Sequence, residues 1–281
     1  MRRCLLAVHA HPDDEASKGA GTVARYAADG VHCVLVCCTG GEEGSILNPA
    51  MERSEVTERL HQVRLDELAE AARIIGYHEV IMLGYRDSGM PDTEANARPE
   101  NFANAPLDEA VGRLVEILRR AQPQVVLTYG DNQKSYPHPD HLRVYEVTME
   151  AIDAAPDPTR HPEAGPPWRV SKVYWSVWSR ARILGMHEKF IALGLESPYP
   201  PEWIERPSQD ENITTAVPIH GFEDVRRDAL LAHATQVDPT SPFWFGLPWD
   251  VARTIHPYDD WILARTTVPT DLPESDLFAG L

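Results

Sequence analysis

The sequence predicts an α/β fold in which a twisted, mostly parallel β-sheet is flanked by helices. Two observations predict this class. Short apolar runs alternate with amphipathic helix patterns, and the runs are apolar throughout rather than at every second position. Continuous apolar strands separated by helices are typical of a parallel sheet that is covered on both faces. The 281-residue chain is long enough to bury such a core without disulfides.

The predicted elements alternate regularly along residues 1–155, which we take as the α/β core. Strands are expected at 4–9, 31–38, 80–83 and 124–129, and helices at 16–28, 55–75, 107–120 and 141–154. The long helix at 55–75 is predicted because apolar residues such as Val56, Leu60 and Val63 recur at helical spacing.

The composition changes after about residue 155. All seven tryptophans lie beyond residue 167, and proline becomes frequent. We expect a strand at 170–178, helices at 180–193, 222–234 and 248–254, and Pro-rich connections between them. Residues 156–281 are therefore predicted to complete the same fold and to cap its site, rather than to form an independent domain.

The net charge restricts the partners of the chain. A formal charge of −17 opposes contact with phosphate backbones and anionic lipids, so we expect neither nucleic acid nor a membrane as a partner. No apolar run approaches the roughly 20 residues that cross a bilayer. The N-terminus begins like a signal peptide, but its apolar stretch stops at His9, and we therefore expect a cytoplasmic protein.

The four cysteines all lie within the first 38 residues, inside apolar runs. We predict that Cys4, Cys33, Cys37 and Cys38 are half-buried thiols in strands. A metal site is the alternative, although adjacent Cys37 and Cys38 would point to opposite faces of a strand.

Two strongly polar clusters follow predicted strands. Residues 9–15 (HAHPDDE) come directly after the first strand, and residues 136–141 (YPHPDH) follow the fourth. Ligands of open α/β sheets bind at the carboxyl ends of strands. His and Asp side chains suit Zn²⁺, and a catalytic zinc needs three protein ligands and one open position. His11, Asp14 and His141 supply such a set. Chance polar loops and a structural zinc are the alternatives.

The neighbouring side chains are candidates for proton transfer. Asp13 lies beside the candidate ligands and fits a general base for a metal-activated water. His138 is suited to donate to a developing oxyanion or leaving group, and Asp140 is expected to orient it. Glu15 is a candidate to orient a ligand. His233, in an apolar helix, is expected to be a packed histidine, with a contact to the site as the alternative.

The run AHPDDE, followed far downstream by HPDH, resembles the LmbE-like zinc-dependent N-deacetylases. The resemblance extends from about residue 4 to about residue 280. The segments GGEEGSILNPAM, YRDSGMP and LLAHATQVDP are similar to the mycothiol branch of the family. That branch contains the mycothiol S-conjugate amidases and the deacetylases of N-acetylglucosaminyl-inositol. It implies a Rossmann-like sheet flanked by helices.

The resemblance also implies roles for individual residues. It makes His11, Asp14 and His141 the metal ligands, Asp13 the base, and His138 a second catalytic residue with Asp140 behind it. Tyr136 matches a mobile tyrosine that polarises the substrate carbonyl. Three residues match positions that contact substrate: Arg64 and Asp87 at the sugar–inositol part, and Lys18, which is typical of the conjugate amidases. Glu43 follows the second strand and is a further candidate for a sugar hydroxyl, with a solvated loop as the alternative.

These implications favour an amidase whose substrate is a small glycosyl-inositol thiol conjugate. The amidase would cleave the amide between the N-acetylcysteine conjugate and glucosaminyl-inositol. One Zn²⁺ per chain is expected, although Fe²⁺ accepts the same ligands. Deacetylation of N-acetylglucosaminyl-inositol is the closest alternative. Lys134 and Ser135 stand where the family usually has two glycines, which keeps a thiol-conjugate amidase of a secondary-metabolite pathway open. A sugar-binding module with a vestigial metal site is a non-catalytic alternative, against which the intact Asp13 and His138 argue. A homo-oligomer remains open.

Overall fold

The computed structural model describes residues 2–133, 136–205 and 208–281. Seven strands form one sheet: β1 (Cys4–His9), β2 (His32–Thr39), β3 (Glu79–Tyr85), β4 (Val125–Thr128), β5 (Lys172–Val177), β6 (Thr215–Pro218) and β7 (Tyr258–Thr266). Their spatial order is β3-β2-β1-β4-β5-β7-β6. The first five strands are parallel, β6 runs in the same direction, and β7 lies between β5 and β6 antiparallel to both. The expected α/β class with a mostly parallel sheet is confirmed.

Eleven α-helices occur in the described part of the chain. They are α1 (Asp14–Ser17), α2 (Ala20–Ala28), α3 (Ser54–Thr57), α4 (Leu60–Ile75), α5 (Leu107–Ala121), α6 (Pro139–Ala154), α7 (Arg180–Ala192), α8 (Pro201–Glu205), α9 (Glu223–Ala232), α10 (Pro242–Phe245) and α11 (Trp249–Ala252). None of the helices in these ranges combines the length and the apolarity that crossing a bilayer requires.

Helices cover both faces of the sheet, which explains why the strands are apolar throughout. Leu6 and Val8 of β1 belong to the core layer that contains the apolar residues of α5 and α6. Leu5 and Ala7 belong to the opposite layer, which contains residues of α2, α4 and α9. Because successive side chains of a strand point to opposite faces, each central strand contributes to both layers.

Two of the predicted helices are each divided in the structure. The helix expected at 16–28 breaks at Gly19, which has a φ of +93°. A Cβ at this position would stand 2.7 Å from the Trp261 ring, so glycine is needed for both the turn and the close approach of β7. The helix expected at 55–75 breaks at Arg59, whose backbone is not helical.

The prediction of half-buried cysteines is wrong, because all four thiols are fully buried. Cys4 and Cys38 lie in one core layer and Cys33 and Cys37 in the other, since β1 and β2 are central strands covered on both faces. Burial raises the pKa of Cys4 to about 11. Among the described residues, none of these cysteines joins a cluster that could hold a metal ion.

Candidate active site

The two polar clusters meet because β1 and β4 are neighbours in the sheet. His11 and Asp14 follow β1, and His141 lies in the first turn of α6 beyond β4. All three side chains are buried, and their potential ligand atoms lie within 4.8 Å of one another. His11 Nδ1 is 3.5 Å and His141 Nε2 is 3.4 Å from the same oxygen, Asp14 Oδ2. The sequence thus predicted a cluster that the fold assembles.

This cluster has the donor set and the free atom that a divalent cation needs. His141 Nε2 is buried without a hydrogen-bond partner in the described part of the chain. Burial lowers the pKa of His141 to about 4, so its imidazole is neutral at physiological pH. His11 Nε2 lies 3.1 Å from Asp140 Oδ2, which leaves Nδ1 facing Asp14. Metal-binding histidines commonly donate their other N–H to a carboxylate in this way. The buried His/Asp cluster therefore fits a metal ion.

The carboxylate of Asp140 does not contact His138 as expected. It accepts hydrogen bonds from the backbone and side chain of Ser88, with Ser88 N 2.9 Å from Oδ2, and it faces His11. The hydrogen bond to His138 comes instead from the backbone N–H of Asp140, which donates to His138 Nδ1 at 3.2 Å. His138 is the N-cap of α6, and this cap fixes its ring.

Asp87 lies beside the His11, Asp14 and His141 cluster as well as at the cavity wall. Its Oδ1 is 3.6 Å from His11 Nε2 and 4.0 Å from His138 Nε2. Burial opposes ionisation of Asp87, but its contacts with His11 and with the backbone N–H of Gly89 hold its pKa well below the usual range. His11, Asp87, His138 and Asp140 form a second close group of possible ligands.

Asp13 lies beside the cluster and partly faces the cavity. About a third of its side chain is exposed, and it lines the cavity above the cluster. Loss of surrounding water and the charge of Asp14 raise its pKa to about 6, although Arg64 Nη2, 3.6 Å away, acts in the opposite direction. The backbone of Asp13 has a φ of +112°, which is strained for a residue with a Cβ. Its N–H donates to Glu15 Oε2 at 3.0 Å.

Arg64 and Lys18 support the loop that follows β1. Arg64 is buried and donates to two backbone carbonyls, those of Gly41 and Pro12, the latter at 2.9 Å. Lys18 forms an ion pair with Asp14. Both side chains also line the cavity, where the resemblance places substrate.

Tyr136 and Glu43 differ in where they point. Tyr136 is 53% exposed, stacks on His138 with ring centres 6.0 Å apart, and lines the cavity. Glu43 binds Arg86 and Arg98 at 2.6 and 3.0 Å and is absent from the described lining of the cavity. Lys134 and Ser135 lie outside the described residues.

The contacts of Tyr129 and the partner of His233 were not predicted from the sequence. Tyr129 stacks on His141 with ring centres 4.6 Å apart, and its hydroxyl accepts from Ala10 N at 3.1 Å. The position of Tyr129 directly after β4, at the end of the sheet where ligands bind, could have indicated that it lies at the site. His233 is packed, as expected, but its partner is Glu15, whose Oε1 lies 2.5 Å from His233 Nε2.

A cavity of about 780 Å³ contains the cluster and extends away from it. Polar side chains line the part near the cluster: Ser17, Lys18, Arg64, Asp87, Tyr136 and Gln236. Large aromatic side chains from the C-terminal part also line it: Trp178, Trp203, Phe243 and Trp244. The volume lies within the range of about 300–1,000 Å³ that is typical of small-molecule sites.

A family model and two relatives of known function indicate one family, and a solved structure shares the fold. The model described as PIG-L, GlcNAc-PI de-N-acetylase, matches residues 6–152. A mycothiol S-conjugate amidase of Streptomyces coelicolor is 43% identical over 99% of this chain and 97% of its own. A 1D-myo-inositol 2-acetamido-2-deoxy-alpha-D-glucopyranoside deacetylase of Geodermatophilus obscurus is 41% identical over 99% and 98%. The N,N'-diacetylchitobiose deacetylase of Pyrococcus horikoshii shares the fold, with a TM-score of 0.64, 19% identity, and coverage of 93% of this chain and 83% of that chain.

Proposed function

Because the chain belongs to the PIG-L family of GlcNAc-PI de-N-acetylases, we propose that it is a zinc-dependent mycothiol S-conjugate amidase. It is a hydrolase that acts on an amide C–N bond, as its relatives are. The bond proposed is the amide between the N-acetylcysteine conjugate and glucosaminyl-inositol. The observation that carries the proposal is the position of Asp13 beside the His11, Asp14 and His141 cluster, at a cavity large enough for a glycosylated substrate.

The proposed reaction uses the charge states of the side chains at the cluster. A divalent cation held by His11, Asp14 and His141 would act as a Lewis acid that acidifies water and polarises the amide carbonyl. Asp13, with a pKa near 6, is mostly ionised at neutral pH and accepts the proton that the attacking water loses. It then carries this proton to the departing amine.

His138 is proposed to stabilise the negative charge that develops on the carbonyl oxygen. Burial and the nearby His11 lower its pKa, so the ring is neutral. Its Nδ1 accepts the hydrogen bond of the α6 cap, and the proton of the neutral ring is therefore on Nε2, the atom that can donate to the substrate. Tyr136, whose ring stacks on that of His138, is proposed to offer a second donor from its hydroxyl.

Replacing the base tests this assignment. We expect Asp13→Ala to lower kcat by roughly 10²–10⁴ while the metal content stays near that of the unaltered protein. Metal analysis by mass spectrometry separates loss of the base from loss of the ion and also distinguishes zinc from iron. Full activity of the Asp13→Ala protein would reject Asp13 as the base.

The second candidate is deacetylation of N-acetylglucosaminyl-inositol, which the relative at 41% identity favours. The two functions are separated by measuring kcat/KM for a mycothiol S-conjugate and for N-acetylglucosaminyl-inositol with the same preparation. Higher kcat/KM for the S-conjugate supports the amidase, and higher kcat/KM for the acetylated sugar reverses the order. A cytoplasmic location is part of the same proposal.

A further inference from the structure

Four aromatic side chains of the C-terminal part line one portion of the cavity. We call Trp178, Trp203, Phe243 and Trp244 the aromatic wall. All four rings are only half-buried. Phe243 is at the centre, stacked on Trp178 at 5.9 Å and edge-on to Trp244 and Trp203 at 4.8 and 5.8 Å.

The aromatic wall has its own support. Beneath it lies a small apolar core of the C-terminal part, made of Ile183, Phe190, Tyr199 and Leu247. Trp203 and Phe243 pack on this core, and Trp244 packs on the larger layer under the sheet. Trp178 packs on none of the core clusters found in the described chain. Its ring is held instead by other members of the wall, stacked on Phe243 and edge-on to Trp244.

The aromatic wall and the metal cluster occupy different parts of one cavity. The rings of Tyr129, Tyr136 and the site histidines contact one another, and the rings of the wall contact one another. No ring contact between described residues joins the two sets. Arg180, which lines the cavity two residues beyond Trp178, has a buried Nη2 atom that finds no hydrogen-bond partner among the described residues. The aromatic wall thus adjoins a hydrogen-bond donor, Arg180 Nη2, that can bind a carbonyl oxygen of the substrate.

We propose that the aromatic wall binds the apolar, preferably aromatic, S-substituent of the substrate, and so selects conjugates over small acetylated sugars. This inference rests on the proposed function. An S-conjugate has a polar sugar–inositol on one side of the scissile amide and a sulfur-linked group on the other. The polar and aromatic parts of the cavity match these two halves. An acetylated sugar offers only the acetyl methyl group as apolar surface at this position. It would leave the rings of the wall exposed to water and gain little from burial of apolar surface.

The test compares two synthetic conjugates that differ only at sulfur, S-benzyl and S-methyl mycothiol. We expect the unaltered protein to favour the S-benzyl conjugate in kcat/KM by roughly tenfold or more, and Trp178→Ala to reduce this ratio to about twofold. Trp168→Ala is the matched control, because Trp168 is also half-buried but lies outside the described lining, where its Nε1 donates to Pro123 O at 2.8 Å. The control should keep the full ratio.

A ratio that Trp178→Ala leaves unchanged overturns the inference while the proposed function stands. The proposed function fails separately if neither conjugate is hydrolysed and N-acetylglucosaminyl-inositol is. In that event, titration calorimetry with S-benzyl-N-acetylcysteine tests whether the aromatic wall binds an S-substituent, independently of any hydrolysis. Binding that Trp178→Ala weakens and Trp168→Ala does not supports the wall, and absence of binding rejects it.

Discussion

Removing the imidazole of His233 should destabilise the protein and impair Asp13 at the same time. His233 and Glu15 are both inaccessible to solvent, and their Nε2 and Oε1 atoms are 2.5 Å apart. The other oxygen of Glu15 accepts the backbone N–H of Asp13 at 3.0 Å. Asp13 has a φ of +112°, a conformation that costs about 1–3 kcal/mol and persists only when its surroundings impose it. The pair formed by Glu15 and His233 is part of those surroundings.

The expected size of the effect follows from the burial of the pair. Removing one partner of a buried ion pair leaves an uncompensated charge and costs about 3–5 kcal/mol. Each kcal/mol lost from the free energy of unfolding lowers Tm by about 2–4 °C in proteins slightly smaller than this one. His233→Ala should therefore lower Tm by roughly 6–20 °C. Glu15→Gln keeps an oxygen for the Asp13 N–H and should cost less. His220→Ala is the control, because His220 is 64% exposed and only loosely paired with Glu223.

The pH dependence of the stability distinguishes an ion pair from simple packing. Burial alone would lower the pKa of His233, but the Glu15 carboxylate outweighs burial and raises it. The stabilisation is therefore complete below the unfolded pKa of about 6.5 and is lost as pH rises through the higher folded value. The difference in Tm between the unaltered protein and His233→Ala should accordingly shrink above neutral pH.

Thermal unfolding and kcat, measured on the same preparations, check both parts. A Tm that falls by less than about 2 °C in His233→Ala, with kcat unchanged, would refute the reasoning. A loss of stability with an unchanged kcat would show that the pair holds the fold together but does not position Asp13.

Three further predictions follow from the same structure. Chelation should abolish amide hydrolysis, and added Zn²⁺ or Fe²⁺ should restore it; activity that survives complete metal removal would exclude a metal-dependent reaction. Gly41→Ala should lower kcat/KM and stability, because Gly41 has a φ of +68° and the new Cβ would stand 2.4 Å from Arg64 Cζ. Gly30→Ala is the control for backbone strain alone, since Gly30 has a φ of +78° but open space around it. Lys172→Met should cost about 3–5 kcal/mol in denaturant unfolding, because it leaves Glu274 buried without the ammonium that is now 2.7 Å away.

The fold could be predicted from the sequence wherever burial depends on apolar residues alone. The first five strands and most of the longer helices correspond to apolar patterns. The sequence analysis missed β7, because Asp259 and Asp260 interrupt its apolar run. Asp259 is nevertheless buried, where it binds Arg226 and accepts hydrogen bonds from the backbone and hydroxyl of Thr22. A charge that is compensated by residues far away in the sequence looks like a loop residue until the fold is known.

At the site as well, contacts between residues far apart in the sequence could not be predicted, whereas the position of each motif could. The candidate metal cluster could be inferred because each motif follows a parallel strand, the first directly and the second after a short loop, and parallel strands end at one edge. The partners of Asp140 and Asp87 could not, because Ser88 and His11 reach them only through the three-dimensional fold. The roles carried over from the resemblance, such as substrate contact by Glu43, stay predictions.

The geometry of the candidate base depends on both parts of the chain. The metal-binding motifs and Asp13 all lie before residue 155, yet the neighbouring turn contacts the later part. Trp261 fills the space above Gly19, and His233 binds the glutamate that holds the Asp13 backbone. The aromatic wall comes from the later part as well. Changes in the wall are therefore expected to alter which substrate binds without touching the candidate metal cluster, whereas a change at His233 is expected to reach the backbone of the candidate base through Glu15.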